Sequence, residues 1–181
     1  KNPVLKPFAT SLGTPSSLIG VIASASTIPG MLISLPAASL SDIFGRRKVL
    51  LASTFIFASA PFFYLLITQW WQLIIVRFYH GFATAIFVPV TEATIAEQFP
   101  TRRGEKISLL SSATAIGRGI APFLGGYILF ATSYNYHTLY LAVGTAGTTA
   151  LLITILFLAE RKKTTAQVGD ARKATRRMFQ G

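Results

Sequence analysis

Residues 18–41 carry no charged side chain, and neither do residues 119–159. A water-soluble domain places charge on every element that meets solvent, so uncharged runs of this length exclude one. About 20 apolar residues in helical form cross the hydrocarbon core of a bilayer. The runs are continuous, which excludes a membrane β-barrel, whose strands alternate over segments of roughly 10 residues. The chain is therefore expected to be an all-α integral membrane protein.

Charged and interfacial residues cut the runs into spans. The first, 18–41, closes on Asp42, Arg46, Arg47 and Lys48. Residues 49–91 hold a single charge, Arg77, and are about twice as long as one span needs to be. They must fold back, and the break falls at Thr68-Gln69-Trp70-Trp71-Gln72, where polar groups meet interface-seeking tryptophan. Residues 107–159 hold one charge, Arg118, and break at the polar, Tyr-flanked stretch 132–138. Five helices result, near 18–41, 49–68, 71–95, 107–130 and 139–159.

The formal net charge of +11 does not point to nucleic acid, because the basic residues form no single face. The loops at 42–48, 96–106 and 160–181 hold 13 of the 17 lysines and arginines, and those at 68–72 and 131–138 hold none. Basic loops face the cytoplasm. Residues 1–17 are then an extracellular loop, 18–159 a five-helix bundle and 160–181 a basic cytoplasmic linker. The expected setting is multi-pass in the cell membrane, with the C-terminal end inside. An odd number of spans starting outside leads us to expect one preceding helix. There is no Cys. The sequence has no metal-ligand spacing, no Ser/His/Asp set and no phosphate loop, so neither an enzyme nor a metal nor a cofactor is expected.

Several residues are costly or unusual where they stand. A charge inside a span costs at least ~2.5 kcal/mol and normally faces a cavity or a partner. Arg77 lies about 9–10 Å along its helix from the tryptophans, at ~1.5 Å per residue, too deep to reach the outer interface easily. It is either a substrate or proton-coupling residue or a structural one satisfied by carbonyls. Arg118, near mid-span, either faces a central cavity or extends into a watery cleft. His80 is one turn from Arg77 and titrates near neutral pH when unperturbed. Glu92 is expected to pair with the Arg-rich loops. Small residues recur every four positions at Ser26, Gly30, Ser34 and Ala38, and again at Ala113, Gly117, Ala121 and Gly125, where Pro122 allows a bend. Small faces let helices approach closely in lipid.

The loop 38–48, Ala-Ser-Leu-Ser-Asp-Ile-Phe-Gly-Arg-Arg-Lys, ends one helix at an acid and starts the next after Gly45, which tolerates positive φ. Asp42 can pair with Arg46 or with a helix N-terminus. This loop resembles the signature of the major facilitator superfamily between its second and third helices, Gly-x-Leu-Ala-Asp-Arg-x-Gly-Arg-Arg. Leu40, Asp42, Gly45, Arg46 and Arg47 match; Ala38 and Ile43 depart. Arg77-Phe78-Tyr79-His80-Gly81 resembles the fourth-helix motif Arg-x-x-Gln-Gly, with His80 replacing Gln. Phe99-Pro100-Thr101-Arg102-Arg103-Gly104 resembles the loop before the fifth helix. Gly117, then Pro122, Gly125 and Gly126, resemble the fifth-helix antiporter motif Gly-x-x-x-Gly-Pro-x-x-Gly-Gly, from which Ala121 departs.

The resemblance implies helices two to six of twelve, part of the N-terminal six-helix bundle. Implied partners are the bilayer, the C-terminal half of the same transporter and a small-molecule substrate. Asp42, Gly45, Arg46 and Arg47 would form the cytoplasmic latch between halves. Arg77, His80 and Arg118 would serve the cavity or proton coupling. Gly30, Ser34, Gly117, Ala121, Pro122, Gly125 and Gly126 would lie where the halves meet. The implied activity is alternating-access transport, as proton-driven export of the multidrug antiporter type, with the proton gradient as energy source. Two alternatives stay open: a proton-coupled importer of a sugar or organic anion, and a non-transporting scaffold or receptor-like bundle.

Overall fold

The computed structural model describes residues 4–158, and helix is the regular structure throughout them. The helices are α1 (Leu5–Ser11), α2 (Ile19–Ser24, entered through a short turn at Ser16–Leu18), α3 (Thr27–Phe44), α4 (Arg46–Leu65), α5 (Gln72–Gln98), α6 (Arg103–Ala131) and α7 (Tyr136–Phe157). Five segments are long and apolar enough to span a bilayer: Ser16–Phe44, Arg46–Leu65, Gln72–Gln98, Arg103–Ala131 and Tyr136–Phe157. The chain is a helical membrane bundle. The linker expected over 160–181, with Ala159 before it, lies outside the described residues.

Most helices run past the apolar spans that hydropathy marks. A helix continues through polar residues until something stops its hydrogen bonds. Gly45, at φ 94°, separates α3 from α4 with no loop at all. Ser133 and Tyr134, at φ 52° and 62°, make the tight turn before α7. Asn135 then caps α7 by accepting from the Thr138 amide at 3.2 Å.

Residues 1–17, expected as a loop, contain a helix. In α1, Leu5, Phe8 and Ala9 are buried against Tyr64 and Leu73, and Tyr136 and Tyr140 pack on the same cluster. Phe8 lies 4.9 Å from the Tyr136 ring and 5.2 Å from that of Tyr140. Seven residues are too few to register as a span, which is why hydropathy passes over them.

The first span is broken. α2 stops at Ser24 and α3 starts at Thr27. Pro29 explains the break, because it has no amide hydrogen to give the Ala25 carbonyl and its ring crowds that oxygen. The interruption between Ser24 and Thr27 also takes the Ile22 and Ala23 carbonyls out of the regular helical ladder.

α4 packs closely on both α5 and α7, and α3 packs on α5. Glycine makes two of these contacts possible. A Cβ on Gly147 would sit 3.1 Å from the Ala58 Cα, and one on Gly144 would press the Phe62 ring. α6 touches the bundle only lightly. Its stretch 111–121 is exposed throughout, and Phe123 and Phe130 point outward at 80% and 79% exposure.

Candidate functional site

The polar centre of the bundle forms around the break in the first span. Arg77, on α5, donates from Nε to the Ile22 carbonyl at 2.8 Å. Its Nη2 donates to the Ala23 carbonyl at 3.0 Å and to Ser26 Oγ at 2.9 Å. The guanidinium therefore supplies the donors that the end of α2 lacks, a charge-assisted cap delivered from another helix. One turn along α5, Gly81 lies against the same segment. A Cβ there would collide with the Ser26 carbonyl, so only glycine lets α5 come this close.

Around Arg77 are two adjoining voids of about 200 Å³ each. Both are lined by Tyr64, Arg77 and His80; one adds Ala121, Gly125 and Tyr140, the other Ser26 and Thr84. Tyr64 and Tyr140 stack with ring centres 4.7 Å apart, walling one side. His80 is held edge-on to the Phe57 ring at 5.5 Å. Ser59 Oγ and the Tyr79 hydroxyl, 2.8 Å apart, tie α4 to α5 nearby. This pocket can hold a small polar or aromatic group, while Arg77 Nε and Nη2 stay engaged with the Ile22 and Ala23 carbonyls and Ser26.

The structure brings Arg77 and His80 together and leaves Arg118 apart. Arg118 is exposed on α6 and makes no hydrogen bond or ion pair to any described residue. The face expected at the interface is uncovered on α6: Ala113, Gly117, Ala121 and Gly126 are exposed, and a Cβ on Gly117 or Gly126 would meet nothing within 4 Å. Gly125 alone among these glycines has close neighbours, Val4 and Leu139. Pro122 sits inside a helix that continues through it.

At the opposite end from Trp70 and Trp71, the two arginines after Gly45 point different ways. Arg46 holds Asp42 through Nη2 at 2.8 Å and Glu97 through Nε at 2.6 Å, joining α3 to the end of α5. Its Nη1 also donates to Ser41 Oγ at 3.3 Å. Arg47 donates to the Leu158 carbonyl at 2.7 Å and the Ile155 carbonyl at 3.3 Å, capping the end of α7. One short segment thus fastens α3, α5 and α7. The acid that answers the basic loop is Glu97, not Glu92 as the sequence led us to expect. Glu92 lies one and a half turns earlier, on a different face of α5, and lines a groove against α3. Asp42 and Arg46 were legible as an i,i+4 pair; Glu97 was not, being 51 residues away in sequence.

A family model described as Major Facilitator Superfamily matches residues 2–180. An uncharacterized MFS-type transporter of Methanocaldococcus jannaschii, MJ1560, is 29% identical over 87% of this chain and 41% of its own length. The multi-drug resistance efflux pump PmrA of Streptococcus pneumoniae is 30% identical over 87% of this chain and 40% of its own length. A multidrug transporter of Candida glabrata is 35% identical over 68% of this chain and 21% of its own length. The chain thus spans about two fifths of the length of the first relatives it matches.

Proposed function

The chain belongs to the major facilitator superfamily, and from that premise we propose that it forms part of one half of a secondary transporter that exports small molecules in exchange for protons. The reading rests chiefly on the arginine clamp. A transporter that rocks needs contacts at one end of a half that are strong when made and can be broken without unfolding it. Arg46, between Asp42 and Glu97 at a partly exposed helix end, is such a contact. Export is favoured over import because two of the relatives above are named as a multidrug efflux pump and a multidrug transporter. The importer reading asks Arg77 to hold an anion, yet its Nε and Nη2 are already committed to backbone carbonyls and Ser26. In this reading the arginine-rich end is cytoplasmic, the membrane is the cell membrane, and the partner is the other half of the same transporter.

The test uses inverted vesicles carrying the full-length protein. An imposed proton gradient should drive uptake of a lipophilic fluorescent dye, and a protonophore should abolish it. Asp42→Asn should insert normally and transport poorly. Uptake indifferent to the gradient would remove proton exchange from the proposal, and wild-type rates in Asp42→Asn would remove the clamp.

A further inference from the structure

The break in the first span lies in its hydrogen bonds more than in its backbone. Ala25 has φ −54° and ψ −34°, and Ser26 has φ −75° and ψ −12°. Both pairs are right-handed helical values, close to those of an α-helix, whose ψ is near −42°. The Ala25 amide still bonds along the chain, to the Val21 carbonyl at 3.1 Å. The next two carbonyls, Ile22 and Ala23, accept from Arg77. In an unbroken helix they would accept from the amides of Ser26 and Thr27, four residues on. Pro29 withholds only the bond to the Ala25 carbonyl. A turn of ψ by roughly 30° at Ser26 therefore brings α2 and α3 to the geometry of one helix with a single bond missing.

Two sets of donors thus compete for the same two carbonyls, and the outcome decides where the Arg77 guanidinium lies. It has a place to withdraw to. The void of about 200 Å³ beside it is lined by Ser26, Tyr64, His80 and Thr84. At about 30 Å³ per molecule, that void has room for several waters, so the withdrawn charge is not stranded among apolar groups. Gly81 contributes from the other side. A Cβ there would press on the Ser26 carbonyl, and its absence leaves that peptide room to turn while α5 stays in place.

We propose that the first span is a two-state element whose joint is latched by Arg77. In the present structure α2 and α3 are separate and Arg77 ties α2 to α5. In the second state the Ser26 and Thr27 amides take the Ile22 and Ala23 carbonyls, the span becomes one helix, and Arg77 withdraws into the void. Ile22 is fully buried in one cluster with Leu73 and Tyr64, which keeps α2 seated in both states. The mechanical consequence is a change of stiffness. With the joint open, a tilt of α3 at its Arg46 end stops at Ser26. With the joint closed, the same tilt is carried through to Ile19. The device does not rest on the transport reading, and neither measurement below involves transport.

The test replaces Pro29, which shifts the balance without touching Arg77. Pro29→Ala supplies the missing amide and removes the obstructing ring, so the unbroken helix should gain. Full-length protein carrying isotope-labelled arginine is observed in lipid bilayers by magic-angle-spinning NMR. The Arg77 Nε signal is identified by its loss from Arg77→Lys, or from the double variant. In Pro29→Ala at least half of its intensity should move to a second position, that of a water-bonded guanidinium. An Arg77 signal unmoved by Pro29→Ala overturns the proposal. Melting temperatures complete a double-mutant cycle. Arg77→Lys alone leaves two carbonyls short of donors, and Pro29→Ala lets them use their own amides. The second substitution should therefore recover about half or more of the melting temperature lost in Arg77→Lys. The cycle cancels the small cavity left by the buried Pro29 ring. Additive losses overturn the proposal. If Arg77→Lys alone does not fold, a folded double variant is the expected rescue, and a double variant that also fails to fold overturns the proposal.

Discussion

Arg77 and Gly81 lie one turn apart on α5 and act on the same turn of the first span, the one by bonding its carbonyls and the other by leaving room for them. This pairing decides what Arg77 does. Lysine carries the charge but lacks the planar fork that reaches Ile22, Ala23 and Ser26 together. Arg77→Lys should therefore lower the melting temperature and every transport mode in parallel. A hydrogen bond from a charged donor contributes about 1.5–3 kcal/mol, and more than one is at stake. Persistent downhill exchange with collapsed proton-driven accumulation, at an unchanged melting temperature, would instead make Arg77 a coupling residue. Gly81→Ala is the steric counterpart. The new methyl meets backbone, which cannot rotate away, so α3 must shift, at a cost of about 1–3 kcal/mol. Gly117→Ala, which enters open space on α6, should stay within about 0.5 kcal/mol of wild type. Thermal melts of the two alanine variants side by side check the contrast.

At the scale of elements, the Arg46 clamp ties the ends of α3 and α5 to the start of α4. Because Asp42 and Glu97 share one guanidinium, removing either leaves the other better placed to hold it. Asp42→Asn and Glu97→Gln should consequently be non-additive, with a coupling energy of about 0.5–3 kcal/mol in a double-mutant cycle. Strict additivity in denaturation or transport would show that the two acids act independently. The five long helices were legible because hydropathy reports the bilayer directly, and the Gly45 junction because φ of 94° suits glycine. What escaped was whatever depended on a neighbour distant in sequence. The capping of α2 by Arg77 spans 55 residues, and α1 packs through Phe8 on Tyr136 and Tyr140, more than 120 residues further on. The break at Ala25 and Ser26 did have a local sign, Pro29, obscured by the unbroken apolar character of the run. Glu92 was assigned to the basic loop because sequence gives proximity to the loop but not the face of α5 from which each acid projects.

For the whole molecule, orientation follows from where the helix ends gather. Arg46, Arg47, Glu97 and Leu158 are joined by direct bonds, so the ends of α3, α5 and α7 and the start of α4 lie on one side. The connection 66–71 between α4 and α5, and the turn at Ser133 and Tyr134, must then lie on the other side, one helix length away. Lysine and arginine concentrate on the first side, and a tryptophan pair marks the second. Basic loops stay in the cytoplasm during insertion, so Ser133 should face outward and Thr165, beyond α7, inward. This chain contains no Cys, so a cysteine introduced into it is the one thiol this segment offers to the reagent. Ser133→Cys should react with an impermeant thiol reagent added to intact cells. Thr165→Cys should react only after permeabilisation. The reverse pattern would invert the bundle and place the arginine clamp outside. Labelling of both positions in intact cells would mean that α7 does not cross, despite the five helices long enough to do so.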